Sequence, residues 1–246
     1  MNNLIKAEFY RLKCSVSPVI KLFIILLDLC AVATTLYGGG QVFTYQGAAS
    51  QFPMTTMMIS LFVASVIGGH FTKRTAHYEI MNGTGIHKCI WMRLIFYVSI
   101  CFGAYFVPVA AVLLFFDHSL RCLMAVGILM MVFLRIMSFV ILSVMVIKAG
   151  EGAVLSFVRL MLENIVAIMS MSDNEDQLIE MSSKIIAIFG WMPYLECTII
   201  SNGLMDSTLA VKAVIGAIAE FALLYFLAYT SYKKKWNIRT SLGTIV

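Results

Sequence analysis

Along this chain, apolar runs of about 18 or more residues alternate with short polar connections, and each run is long enough to cross a hydrocarbon core about 30 Å thick as a helix. Six such runs are predicted: Ile20–Tyr37, Phe52–Gly69, Leu94–Phe116, Cys122–Ile147, Ala153–Met171 and Ala210–Tyr232. A transmembrane β-barrel would need alternating segments of about ten residues, and none occur. A further apolar stretch, "IIAIFGWMPYLECTII" (Ile185–Ile200), is short and interrupted by Gly190, Pro193 and Glu196. If it crossed, the basic segment "KKKWNIR" would change sides, so it reads as a re-entrant or interfacial hairpin on the outer side, its broken backbone satisfied by surrounding protein. The expectation is an all-α integral membrane protein: residues 1–246 as one domain with six transmembrane helices and an outer hairpin before the last.

Three amphipathic segments flank these runs. In "NNLIKAEFYRLKCSVSP", Ile5, Phe9, Leu12 and Val16 recur at steps of four, three and four, with Lys6, Glu8 and Lys13 between them. That stripe predicts a helix in the inner interface plane, with Pro18 marking the turn into the first span; a plain basic topology signal is the alternative. On the outer side, "SDNEDQLIEMSSK" with Leu178, Ile179, Ile185 and Ile186 suggests a short surface helix. The polar island "HFTKRTAHYEIMNGTGIHKCIWMR" (His70–Arg93) contains a short helix over Lys73–Met81, a turn at "NGTG", and a second helix start at Thr84 or Gly85. Tyr78 and Met81, three apart, share a face. Such a helix between two spans can turn a push from a soluble partner into helix tilting; a solvated loop with topogenic charges fits the same residues.

Composition agrees with a membrane protein: 61% of the 246 residues are hydrophobic and 13% charged, against roughly 25% charged in soluble domains. Mean hydropathy is +0.90. The net charge of +5 gives no nucleic-acid signature, because the basic residues flank the spans instead of forming one face. With the N-terminus inside, thirteen Lys and Arg fall on inner segments and three, Arg121, Lys184 and Lys212, on outer ones, which predicts both termini in the cytoplasm. The first apolar run is long and lacks a clear cleavage site after it, so it is expected to remain as a span.

The six cysteines are scattered, without C-x-x-C spacing or clustering with the four histidines, so no metal site is predicted and they read as buried apolar residues. A Cys122–Cys197 disulfide on the outer side stays open. His70, His77 and Glu79 lack H-E-x-x-H spacing, and no phosphate loop occurs; "YGGGQ" has no lysine. An enzyme is therefore not expected.

Asp28, Arg135, Arg159, Glu163 and Glu220 fall inside predicted spans, where each charge costs at least about 2.5 kcal/mol at mid-depth unless paired or hydrated. Arg159 and Glu163, four apart, can pair on one helix. Asp28, Arg135 and Glu220 either pair between helices as structural ties or line the route of an amphipathic peptide or polar headgroup. The 17 methionines suit either an adaptable apolar surface or ordinary core and lipid-facing positions.

The pattern resembles the type 2 exporter permeases of ATP-binding-cassette (ABC) transporters, especially the small permeases of bacterial lantibiotic and bacteriocin immunity systems. "KRTAHYEIM" is similar to the charged helix of their loop between spans two and three, "GIHK" to the Gly-Ile-Ser-Arg turn, and Arg93 stands where the closing basic residue belongs. The acid and glycine usual before Thr75 are missing, Glu79 comes later, and His87 replaces the serine. The "KAEFYRLK" start, the broken hairpin before the last span and the basic tail also match. The resemblance implies a coupling helix that docks into a separate ATPase subunit, carried by Lys73, Arg74, Thr75, Tyr78, Glu79, Met81, Gly85, Ile86, His87, Lys88 and Arg93. It also implies a second permease chain, identical or paralogous, ATP and Mg bound only by the partner ATPase, a hydrophobic or amphipathic peptide substrate, and a bacterial plasma-membrane location. An ion-coupled transporter using intramembrane carboxylates is the alternative.

Overall fold

A computed structural model of the chain describes residues 5–6, 9–10, 18–37, 42–72, 85–147, 149–171 and 191–243. Among these, regular structure is entirely helical: α1 (Pro18–Tyr37), α2 (Tyr45–Thr72), α3 (Ile86–Phe116), α4 (Leu120–Val146), α5 (Ala149–Met171), α6 (Pro193–Ser201) and α7 (Ser207–Gly243). Among the described residues, three helices are long and apolar enough to cross a membrane, namely α3, α4 and the Ser207–Ser231 part of α7. The Ile25–Tyr37 part of α1 is a shorter apolar stretch.

Local chemistry sets the helix ends. Pro18 opens α1, where its missing N–H is no loss. Before α4, the Ser119 side chain accepts from the Cys122 N–H at 3.1 Å while Asp117 accepts from the Ser119 N–H at 2.9 Å. Before α7, Asp206 accepts from the Ser207 N–H at 2.6 Å and the Thr208 hydroxyl at 2.9 Å. Those hydrogen bonds hold both aspartates below the usual carboxylate range. Gly203, at φ +72°, supplies the left-handed turn between α6 and α7.

Within α3, residues Phe102–Phe106 form a π-helical turn in which the Val107 N–H reaches the Phe102 carbonyl. Pro108 explains it: proline cannot donate to Ala104 and its ring crowds that carbonyl, so the backbone widens just upstream.

The core is built around α4, which packs against α2, α3, α5, α6 and α7 and is buried along its length from Cys122 to Met145. Helices α3 and α7 bury one face each and present apolar faces outward, as at Ile218, Leu223 and Phe226. The α4–α5 crossing is close because Gly152 has no side chain: a Cβ there would lie 2.9 Å from the Val144 backbone. Beside it the Ser156 hydroxyl donates to the Gly152 carbonyl at 2.8 Å, and the hydroxyls of Ser143 and Ser156 lie 3.4 Å apart.

The predicted runs recur as helices with shifted ends. α2 begins at Tyr45, α3 at Ile86 directly after an extended Gly85, and α7 continues past Tyr232 to Gly243, because small, polar and basic residues propagate a helix that hydropathy alone would end. The disulfide alternative does not hold: Cys122 and Cys197 are both buried free thiols, with the Cys122 thiol donating to the Leu113 carbonyl at 3.7 Å. The segments expected to form the Lys73–Met81 helix, the outer surface helix, the first part of the hairpin (185–190) and most of the N-terminal stripe lie outside the described residues.

Candidate functional site

The charges predicted inside the spans separate into two environments. In the first, Arg135 of α4 lies at the hub, 4% exposed. Its Nε donates to Glu220 of α7 at 3.0 Å, its Nη1 to Glu196 of α6 at 2.6 Å, and its Nη2 to the carbonyl of Trp191. Arg159 of α5 donates from Nε to Glu163 at 2.7 Å, one helical turn along, and from Nη1 and Nη2 to Glu220, the latter at 3.2 Å. Its guanidinium also lies 4.3 Å from the ring centroid of Phe139. Two guanidinium groups and three carboxylates thus join four helices. Burial weakens the screening that makes surface ion pairs nearly worthless, so loss of one partner would leave the rest uncompensated.

The network also ends a helix. α6 starts at Pro193 with no side-chain cap from its own N-cap residue, Met192. Glu163 supplies one from α5, accepting from the Tyr194 N–H at 3.1 Å, so a carboxylate meets the positive end of the α6 dipole. Across α4, Gly216 lets α7 lie against Arg135; a Cβ there would sit 3.3 Å from the guanidinium carbon. A cavity of about 20 Å³, the size of one water, lies between Met57, Phe139, Arg159, Glu163 and Pro193.

The Arg159–Glu163 pair expected from spacing is present, and of Asp28, Arg135 and Glu220, for which interhelical ties or a pathway were both open, Arg135 and Glu220 pair while Asp28 joins neither. Glu196 joins them unpredicted, although its place as an acid in an apolar stretch was the available signal. Its Oε1 meets Arg135, while Oε2 is buried with no hydrogen-bond partner among the described residues.

Asp28 belongs to the second environment. It lies near the middle of α1 in a cavity of about 260 Å³ between α1, α2 and α3, with Ile59, Phe62, Val63, Tyr97 and Cys101 in the wall. Among the described residues it has no hydrogen bond or ion pair. Two turns further along the same face of α1, Thr35 meets Thr55 of α2 at 3.0 Å and Tyr105 of α3 at 2.9 Å, and Thr55 meets Tyr105 at 2.5 Å. These three buried hydroxyls hold the helices together beside the cavity.

Of the residues assigned to ATPase coupling, Lys73, Arg74, Thr75, Tyr78, Glu79 and Met81 lie outside the described residues. Gly85, His87 and Lys88 are exposed and Ile86 half-buried at the start of α3. His87 Nδ1 lies 2.5 Å from the Tyr225 hydroxyl and its ring stacks on Tyr229 at 4.2 Å, tying α3 to α7. Arg93 is 1% exposed, inside the bundle. No group of three or more His, Cys, Asp or Glu converges on a metal-binding arrangement among the described residues. No family model, characterised protein or solved structure matches this chain.

Proposed function

We propose that this chain is the transmembrane permease subunit of an ATP-driven exporter of the ABC type 2 kind, with α1–α5 and α7 as six spans, both termini cytoplasmic, in a bacterial plasma membrane. It would pair with a second permease chain and with separate ATPase subunits that bind ATP and Mg, and would expel a membrane-active peptide such as a lantibiotic or bacteriocin, or a related amphipathic substrate. The observation that supports this reading is α6, a short helix before the last long one, where such permeases have a broken hairpin; Glu163 caps its N-terminus and Arg135 holds its Glu196. The basic residues at the inner ends of the helices, including exposed Lys88, Lys233 and Lys234, support the orientation.

A second reading, an ion-coupled transporter, is favoured by the surplus carboxylate in the Arg135 network and by Asp28, which has no partner among the described residues. Gentle purification from the native membrane followed by mass spectrometry separates the two. A stoichiometric ATPase with a phosphate-binding loop supports the exporter; a functional protein without any ATPase, driven by an ionophore-sensitive gradient, overturns it.

A further inference from the structure

The charges of the Arg135 network have partners within the fold, whereas Asp28 has none among the described residues. Its cavity lies at mid-length of α1 and α3: Asp28 is near the centre of Pro18–Tyr37, and the neighbouring Cys101 near the centre of Ile86–Phe116. At that depth a bare carboxylate is unfavourable, and a counter-charge brought by a ligand relieves it.

The chemistry of the wall selects the ligand. Apart from Asp28 the lining is hydrocarbon, the rings of Phe62 and Tyr97 with the Tyr97 phenol, and the Cys101 thiol. A hard metal cation needs about six oxygen ligands, which one carboxylate does not approach. A cation with an apolar body fits: its charge meets Asp28, its body meets Ile59, Val63 and Ile100, and the rings of Phe62 and Tyr97 favour positive charge beside them. The volume of about 260 Å³ falls near the lower end of the range for ligand pockets, roughly 300–1,000 Å³. That is room for a single alkyl- or arylammonium group and too little for a folded peptide.

We infer that the α1–α2–α3 cavity is a binding site for a hydrophobic monovalent amine, held by an ion pair to Asp28. The inference stands on the cavity and does not depend on the exporter reading, and it is tested on the full chain alone, without an ATPase.

The test is equilibrium binding of tritiated octylamine, which is cationic at neutral pH, to the full chain in phosphatidylcholine nanodiscs, with empty nanodiscs subtracted. Saturable binding displaced by unlabelled octylamine but not by octanol is expected. Asp28→Asn should weaken it by on the order of tenfold or more, and Asp28→Glu should restore part of it. Binding that is absent, that octanol displaces equally, or that a folded Asp28→Asn variant retains unchanged would overturn the inference. If Asp28→Asn does not fold, the octylamine-against-octanol comparison on the unsubstituted chain still decides.

Discussion

The α4–α7 region and the α1–α3 region both place acids in apolar helices, yet they handle them in opposite ways. In the first, Glu163, Glu196 and Glu220 meet Arg135 and Arg159, and the network fastens a short helix, α6, between longer ones. In the second, Asp28 faces a cavity and the helices are fastened separately, by the hydroxyls of Thr35, Thr55 and Tyr105. A charge neutralised inside the fold is committed to architecture, whereas one left facing a cavity is free to meet a ligand. The division makes the Arg135 network a tie between helices and leaves Asp28 as the charge that faces its cavity without a partner among the described residues.

The largest effect that would break this comparison is at the hub. Arg135→Ala should destabilise the chain by about 3–5 kcal/mol, since buried Glu196 would lose its arginine and half-buried Glu220 one of its two. Chemical denaturation in mild detergent measures it, and an Arg135→Ala variant as stable as the parent would remove the role of a tie between helices. Next in size is the helix crossing beneath the network. Gly152→Ala forces a methyl to within 2.9 Å of the Val144 backbone, so a loss of about 1–3 kcal/mol is expected by the same denaturation. Gly103→Ala, with nothing within 4 Å of the added carbon, should cost no stability, and equal losses at the two sites would refute the close-crossing explanation.

The smallest effect lies at the helix ends, away from both acid clusters. The bound forms of Asp117 and Asp206 sit below the usual carboxylate range, so their contribution is present above the pKa of the unfolded chain and is lost as pH falls through the folded value. Acidification should fray the first turns of α4 and α7 before it affects their middles, visible as earlier hydrogen exchange at Cys122 and Leu209 than at Val132 and Leu224. Simultaneous exchange along each helix would contradict the capping role.

Hydropathy and charge made the long helices readable, because span length and the cost of intramembrane charge are properties of single segments. The Arg159–Glu163 pair was readable for the same reason, one helical turn being a matter of spacing. What joins distant segments was not. That Glu196 reaches Arg135, that Gly216 makes room for the guanidinium, and that His87 stacks on Tyr229 all depend on how helices far apart in sequence pack. Pro108 within the third apolar run was an available signal that hydropathy passed over, and the π-turn over Phe102–Phe106 just upstream of it is its structural consequence. Asp28 and Glu220 looked alike as lone acids in apolar runs; only packing separates the acid with two arginine partners from the one in a cavity.

The most direct measurement of that separation is thermal melting of Glu220→Gln and Asp28→Asn side by side in the same lipid nanodiscs. A clear fall in melting temperature for Glu220→Gln, with Asp28→Asn unchanged or raised because a charge without a partner among the described residues has been removed, is the predicted result. Equal losses in both variants would contradict the division between charges that tie helices together and a charge that faces a cavity.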